Sequence, residues 1–311
     1  MRILVTAISG NVATGILRSL EGHGYSLYGC DVSDYPSGMD LVRDWARVPY
    51  AVETGYVPEL LHICKKWDVQ AILPANESEL AILDQNRDIF LDTGIHLIIN
   101  RSFILRTCLD KYECMCALEA LGVRVPKTFR PQDSIEGDTA YIVKPRSGCG
   151  SRFLKRISSA EEAQKLEVQF GSPLIVQEYL PGESEEYTMS VFSNGEIVRC
   201  IIFRRRLAHG YTSFVELVQD GAMETIGKTV AEAWHLNGSI NLQMRRKDGN
   251  ACVFEINPRL SGTSHFRAQL GFNDSYWWCE TALGRPVPEY VPTCQEAIGV
   301  RELTSKIVYM Q

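Results

Sequence analysis

The chain has 311 residues, of which 45% are hydrophobic and 23% charged, as in a globular protein with a sizeable core. Its length favours two or three packed units over one. A net charge of −6 and an isoelectric point near 5.6 disfavour a nucleic-acid-binding protein. The sequence shows neither a secretory leader nor an apolar run of the roughly 20 residues that cross a membrane. We therefore expect a cytoplasmic protein without nucleic-acid or membrane partners, whose 10 scattered cysteines are mostly small buried thiols.

Residues 1–107 alternate apolar strand candidates with segments of helical spacing. In chain order the signals are "RILVTA", "SGNVATGILRSLEGHG", "YSLYGCD", "DVQAILPA", "ESELAILDQNRDIFLDTG" and "IHLIIN". This order predicts a parallel sheet covered by helices on both faces, which is a Rossmann-like α/β domain.

A nicotinamide site at the start of this domain is an alternative interpretation. Gly10 and Gly15 follow the first strand, and Asp31 ends the second strand as a candidate ribose-binding acid. Because the spacing departs from Gly-x-Gly-x-x-Gly, packing of helix against strand is the favoured reason for the glycines. Asn76, three residues before Glu79, is interpreted as a helix cap.

From residue 108 onward the pattern changes to α+β. The segment 101–122 predicts one helix that joins the two regions. Short strand candidates with tight turns such as "SNGE" and "KDGN" follow, interrupted by helical segments. We expect residues 108–190 to hold the joining helix and a smaller subdomain, and residues 191–311 to hold a larger one.

The stretch "VFEINPRLSG" places Glu255, Asn257 and Arg259 at alternate positions, which share one face of a strand. The turn "KDGN" joins this strand to the preceding one. A three-residue loop, 248–250, places Gln243 opposite Glu255, whereas a two-residue Asp-Gly turn would put Gln243 on the other face. We adopt the three-residue loop. The oxygen atoms gathered in this way suit magnesium, and the neighbouring guanidinium would stabilise developing negative charge.

Other segments indicate a nucleotide. Lys144 ends a strand before the loop "RSGCGSR", whose glycines let backbone N–H groups approach phosphates. The segment "LIVQEYLPGESEEY" leaves a strand and turns, so that Glu178 and nearby amides would read a purine edge and Glu186 would accept the ribose hydroxyls. Lys111, at the start of the joining helix, is within reach of a phosphate.

The motifs occur in an informative order. The chain contains, in this order, Asp-Lys, Lys-Pro with a glycine loop, Gln-Glu-Tyr, Gly-x(3)-Glu-Tyr and Gln…Glu-x-Asn-Pro-Arg. Together these motifs resemble the ATP-grasp superfamily, and within it one synthetase unit of the carbamoyl-phosphate synthase large chain. The resemblance runs from Lys111 through "SHFRAQLG", and residues 1–107 resemble the pre-ATP-grasp domain. It implies an ATP-grasp lid subdomain within 108–190 and the catalytic subdomain in 191–311.

The resemblance also assigns roles to residues. It implies that ATP is bound by Lys111, Lys144, Ser147, Gly148, Gly150, Ser151, Glu178, Tyr179, Leu180 and Glu186. It implies two Mg²⁺ ions, with Mn²⁺ as an alternative, held by Gln243, Glu255 and Asn257. Lys144 and Arg259 would be catalytic, since they would neutralise charge on the transferring phosphoryl group.

The implied reaction is ATP-dependent ligation. ATP phosphorylates a small-molecule carboxylate, and an amine or similar nucleophile attacks the acyl phosphate, releasing ADP and phosphate. Because the sequence holds one unit, a stand-alone ligase is favoured over a carbamoyl-phosphate synthase-like enzyme that uses bicarbonate and ammonia. A nicotinamide-dependent oxidoreductase and a non-catalytic nucleotide sensor are further alternatives. A homodimer is a common arrangement. Substrate contacts by Arg204, Arg206, His209 and His265 are left open.

Overall fold

Three β-sheets with intervening helices make up the computed structural model, which describes residues 1–133, 140–148, 153–157, 159–182 and 185–302. Gly150 and Ser151 of the predicted phosphate loop, and Cys149 beside them, lie outside the described residues. Over the described ranges, no helix has both the length and the apolar character needed to span a bilayer.

The first sheet has five parallel strands in the order β3-β2-β1-β4-β5. Its strands are β1 (Arg2–Thr6), β2 (Ser26–Asp31), β3 (Trp45–Arg47), β4 (Ala71–Leu73) and β5 (His96–Leu97). The helices of this unit are α1 (Asn11–Leu20), α2 (Tyr56–Trp67), α3 (Glu77–Gln85) and α4 (Arg87–Asp92). Apolar cores lie on both faces of the sheet, so the predicted α/β unit is confirmed.

The second sheet is small and antiparallel, in the order β6-β9-β7-β8. Its strands are β6 (Thr128–Phe129), β7 (Tyr141–Pro145), β8 (Lys155–Ile157) and β9 (Leu174–Glu178). Helix α7 (Ala160–Phe170) packs on it through Ala163 and Leu166.

The third sheet is antiparallel, in the order β14-β13-β10-β11-β12-β15. Its strands are β10 (Glu186–Asn194), β11 (Val198–Ala208), β12 (Tyr211–Val218), β13 (Asn237–Lys247), β14 (Asn250–Asn257) and β15 (Ile298–Val300). Helix α8 (Gly221–Ala233) covers one face, while α9 (Ser264–Gln269) and α10 (Asp274–Ala282) lie towards the first sheet. Strand β10 begins at Glu186, so this sheet includes residues on both sides of position 190. The boundary between the two subdomains at residues 190 and 191 stays a prediction.

The predicted joining helix is two helices, so the expectation of one was wrong. Helix α5 (Ser102–Leu109) ends at Asp110, and α6 (Lys111–Ala120) begins directly after it. Asp110 has extended backbone angles, and its carboxylate accepts hydrogen bonds from the backbone N–H groups of Tyr112 and Glu113. This cap favours a new helix start over continuation, which apolar spacing alone does not reveal.

The hairpin of β13 and β14 has a different turn from the one predicted, but Gln243 and Glu255 are paired as predicted. Lys247 pairs with Asn250, so the turn has two residues, Asp248 and Gly249, both with positive φ (52° and 78°). The register then shifts between Met244, which pairs with Val253, and Gln243, which pairs with Glu255. The extra residue at this β-bulge restores the predicted pairing that the shorter turn would have lost.

Candidate active site

The predicted oxygen ligands gather on one face of the third sheet. Gln243 and Glu255 are cross-strand partners, and Asn257, two residues further along β14, pairs with Asn241. Glu255 makes no ion pair with any described residue. No cluster of three or more His, Cys, Asp or Glu side chains occurs in the described part of the chain, so this set depends on its amide oxygens. One carboxylate and two amide oxygens fit Mg²⁺, which commonly retains several waters.

Lys144 of the second sheet contacts the bulge residue Phe254 at this face. The ammonium of Lys144 lies 5.7 Å from the centre of the Phe254 ring and donates to the Phe254 carbonyl at 3.4 Å. Burial lowers the pKa of Lys144 to about 8; nearby Glu255 opposes the shift, and Lys111 adds to it. A charged lysine and the proposed ligands therefore face each other between two sheets.

Lys111 is held beside the segment that follows β7. It is the first residue of α6, its backbone N–H donates to the Arg146 carbonyl at 2.9 Å, and its ammonium donates to the Gly148 carbonyl. Arg146 in turn binds both oxygens of Asp110, at 2.9 and 2.8 Å. Ser147 and Gly148 are exposed, and the positive φ of Gly148 (97°) favours glycine. Two lysines and the described part of the glycine loop therefore lie together.

The segment after β9 is fixed by backbone bonds. The backbone N–H of Glu178 donates to the Lys127 carbonyl, and the backbone N–H of Tyr179 donates to the Ala140 carbonyl, both at 2.8 Å. The Glu178 carboxylate accepts from the Lys127 N–H at 3.2 Å and forms an ion pair with Lys247. Since this carboxylate already has two partners, its assignment to a purine edge stays a prediction, as do those of Tyr179 and Leu180.

Glu186 lies in a buried row of charges across three strands. It pairs directly with Arg205 on β11 and Arg245 on β13. Its Oε1 accepts from Arg205 at 3.0 and 2.6 Å, and its Oε2 accepts from Arg245 at 3.2 and 2.8 Å. Burial alone would raise the pKa of Glu186, but Arg205 and Arg245 together hold it below its ordinary value.

Within the arginine run 204–206, the residue on the site face is Arg205, which the sequence analysis did not single out. Arg204 forms an ion pair with Glu216, and the Arg206 guanidinium lies 5.0 Å from the centre of the Phe214 ring. Strand alternation puts Arg204 and Arg206 on the same side, and that side faces away from Glu186.

Arg259 is anchored by a residue of the N-terminal α/β unit that the sequence analysis missed. Its Nη2 lies 2.6 Å from Oε1 of Glu77, and both side chains are largely buried. The same Nη2 is 3.4 Å from the Asn257 oxygen, and Nη1 donates to the Leu260 carbonyl at 3.0 Å. Its buried Nε has no hydrogen-bond partner among the described residues. Glu77 begins α3 just beyond β4, and position at the carboxyl edge of a parallel sheet was the available signal.

A fully buried ion pair lies near the same face of the third sheet. Arg267 and Asp274 have no solvent exposure and make two contacts, at 2.6 and 2.8 Å. Asp274 also accepts from Ser190 and Ser239, at 2.9 and 2.6 Å. Because Ser190 pairs with Asn241, this network lies one strand pair away from Asn257.

The glycine-rich helix start offers no support for a nicotinamide site. A Cβ added to Gly15 would lie 3.6 Å from the backbone nitrogen of His265, so α1 packs closely on α9 there. Asn76 is a helix cap, as predicted, and forms a reciprocal capping box with Glu79. Trp277 and Trp278 are core residues.

Comparison with known families finds matches in two parts of the chain. A family model described as "ATP-grasp in the biosynthetic pathway with Ter operon" matches residues 170–306, and one described as "PylC-like, N-terminal domain" matches residues 4–98. The chain thus carries an ATP-grasp domain behind a PylC-like N-terminal domain, which confirms the predicted ATP-grasp fold.

Individual relatives are distant. An uncharacterized protein of Methanocaldococcus jannaschii is 27% identical over 163 residues, which are 50% of this chain and 41% of that protein, so the match spans less than half of that relative. The structure of an L-amino acid ligase from Bacillus licheniformis is similar with a TM-score of 0.72 and 15% identity, over 91% of this chain and 74% of that one. That of an N5-carboxyaminoimidazole synthetase from Staphylococcus aureus complexed with ADP has a TM-score of 0.76 and 14% identity, over 97% and 82%. At such identities the similarity establishes the shared fold.

Proposed function

We propose that the protein is an ATP-dependent ligase that phosphorylates a carboxylate to an acyl phosphate and couples it to an amine or similar nucleophile, releasing ADP and phosphate. One observation carries the proposal: Gln243 and Glu255 are paired on one face of the third sheet, with Lys144 of the second sheet beside Phe254 across from them. Two proteins that share the fold, an L-amino acid ligase and a synthetase complexed with ADP, support the same chemistry.

The residues would act mainly by charge and position. Lys111 and Lys144 would bind the phosphates of ATP, and Arg259 would hold the phosphoryl group on its way to the carboxylate, since phosphoryl transfer needs alignment and charge neutralisation more than covalent help. Burial of Lys144 strengthens its attraction for phosphate, because little water screens it.

Gln243, Glu255 and Asn257 would hold Mg²⁺, which when bound neutralises phosphate charge. Two ions, with Mn²⁺ as an alternative, are our proposal for this site. We also propose a cytoplasmic location, small-molecule carboxylate and amine substrates, and a homodimer as the first assembly to test. A carbamoyl-phosphate synthase-like use of bicarbonate and ammonia is an alternative substrate choice for the same residues.

Mass spectrometry of products tests this function. The protein is incubated with ATP, Mg²⁺ and pooled carboxylates and amines, and ADP is measured alongside new condensed products. We expect ADP release that requires Mg²⁺ and a carboxylate, with an amide-type product of matching mass. ADP formed from bicarbonate and ammonia alone would select the carbamoyl-phosphate chemistry. ATP binding without turnover on any substrate would identify a sensor instead.

Replacement of Lys144 by methionine should weaken ADP binding by about 10-fold to 100-fold at pH 7, because a desolvated charge–phosphate contact is lost. In the native protein, ADP affinity should also fall as pH rises through about 8, the pKa to which burial lowers Lys144, since only the ammonium form attracts phosphate. Calorimetric titration from pH 7 to 9 measures both effects.

The matched control is Lys155→Met on the adjacent strand β8, where the lysine is half exposed and paired with Glu162. This variant should keep native ADP affinity. An equally steep pH dependence in Lys144→Met would contradict the assignment of that titration to Lys144.

Glu77→Gln should lower kcat by about 10-fold to 100-fold with little change in nucleotide affinity, because Arg259 would lose the carboxylate that orients it. The control is Glu280→Gln: Glu280 is equally buried and also joins the first unit to the rest of the chain, through the Tyr25 hydroxyl, but away from Arg259. Steady-state kinetics compare the two variants. An equal loss of kcat in the two variants would show that Glu77 contributes only a structural contact and does not orient Arg259.

A further inference from the structure

Glu186 has no acceptor capacity left in the arrangement described above. An ionised carboxylate offers about four lone-pair positions. Two N–H groups of Arg205 bind one oxygen of Glu186, and two N–H groups of Arg245 bind the other. A ribose has two hydroxyl donors, so Glu186 can accept them only when two of these four bonds are released.

The two arginines differ in how readily each could release the Glu186 carboxylate. Arg205 is 9% exposed and Arg245 17%, and the strand partner of Arg205 on its far side is Val215. Arg245 lies two residues from Gln243 on the same strand and therefore on the same face. Its guanidinium is 5.6 Å from the centre of the Phe254 ring, the ring that Lys144 also approaches. Arg245 is thus the partner of Glu186 that is next to the phosphate-binding lysine.

The third contact of Arg245 reaches the nucleotide segment as well. Its Nη1 donates to the Leu180 carbonyl at 2.7 Å, while Nε and Nη2 bind Glu186. One side chain therefore joins the segment assigned to the base with the carboxylate assigned to the ribose.

We propose that Arg245 is a further phosphate-binding residue of the nucleotide site, and that nucleotide binding transfers its guanidinium from Glu186 to a phosphate. The exchange balances: two ribose hydroxyls take the two acceptor positions that Arg245 leaves, and Arg205 keeps Glu186 paired. The inference rests on the proposed function in one respect, the assignment of Glu186 to the ribose.

Calorimetric titration with adenosine and with Mg²⁺-ADP tests the transfer in the full-length chain. In Arg245→Met, we expect the affinity for ADP to fall by about tenfold or more, because a charged phosphate contact is lost. The affinity for adenosine should hold or rise, because Glu186 then has free acceptor positions. Arg245→Lys should recover most of the ADP affinity, since a lysine supplies the positive charge that a phosphate needs. A lysine cannot reproduce the three hydrogen bonds that Arg245 makes to Glu186 and Leu180.

Arg246→Met is the matched control. Arg246 is the next residue, points to the opposite face and pairs with Asp220 and Tyr187, so neither affinity should change. A parallel loss for adenosine and ADP in Arg245→Met, unrelieved by lysine, would show a structural role and overturn the inference. Unchanged ADP affinity in Arg245→Met would overturn it too. Failure of the native chain to bind ADP would overturn the proposed function along with it.

Discussion

Glu255→Gln should leave the fold intact and lower turnover by about a thousandfold or more, because the only carboxylate of the proposed Mg²⁺ set becomes neutral. Glu255 makes no ion pair with the described residues, so its replacement by an isosteric amide leaves no partner charge stranded in the interior. Its cross-strand partner Gln243 belongs to the same set and offers only an amide oxygen. The loss should therefore appear in catalysis and in Mg²⁺ dependence, not in stability.

Steady-state ADP release at increasing Mg²⁺, together with thermal unfolding, measures this effect. The control is Glu216→Gln on strand β12 of the same sheet, where the glutamate pairs with the partly exposed Arg204. That variant should keep near-normal kcat and an unchanged requirement for Mg²⁺. A Glu255→Gln enzyme with near-normal turnover would rule out the metal-binding role.

Asp274→Ala should destabilise the protein by about 3–5 kcal/mol, because it leaves the guanidinium of Arg267 unpaired where no water reaches it. Ser190 and Ser239 would lose their acceptor as well. Unfolding in urea, followed by fluorescence, gives the change in the free energy of unfolding. In contrast, Asp34→Ala removes the exposed partner of Arg47 and should cost less than about 1 kcal/mol.

A double variant separates charge burial from lost packing. Arg267→Met with Asp274→Leu removes both charges, so it should recover much of the stability lost in Asp274→Ala. A single Asp274→Ala variant as stable as Asp34→Ala would contradict the account of a stranded buried charge.

Prediction from the sequence reached the correct strand pairing through an incorrect turn. A two-residue Asp-Gly turn has the opposite register to the one needed, and the bulge at Phe254 reverses it. Bulges depend on twist and on packing of the sheet against its neighbours, so local sequence carries little signal for them. The bulge has a consequence for the site as well, since the Phe254 ring lies beside both Lys144 and Arg245.

Residues missed by the sequence analysis are those whose partners lie far away in the chain. Glu77 meets Arg259 across 182 positions, and Arg245 and Arg205 meet Glu186 from two other strands. A lone glutamate at a helix start is ordinarily interpreted as a favourable first-turn charge. Its role beside Arg259 follows from the packing of the first sheet against the third.

The order of motifs by itself determined the class of fold and nominated the oxygen donors of the candidate metal site, because strand alternation and the spacing between motif residues are local properties of the chain. Only the tertiary structure decided which charges are already paired: Glu186 with two arginines, Glu178 with Lys247, and Arg259 with Glu77. The physical reason is that ionic partners inside a protein are chosen by burial and by strand neighbours, which bring distant residues within hydrogen-bonding distance whatever their separation in sequence.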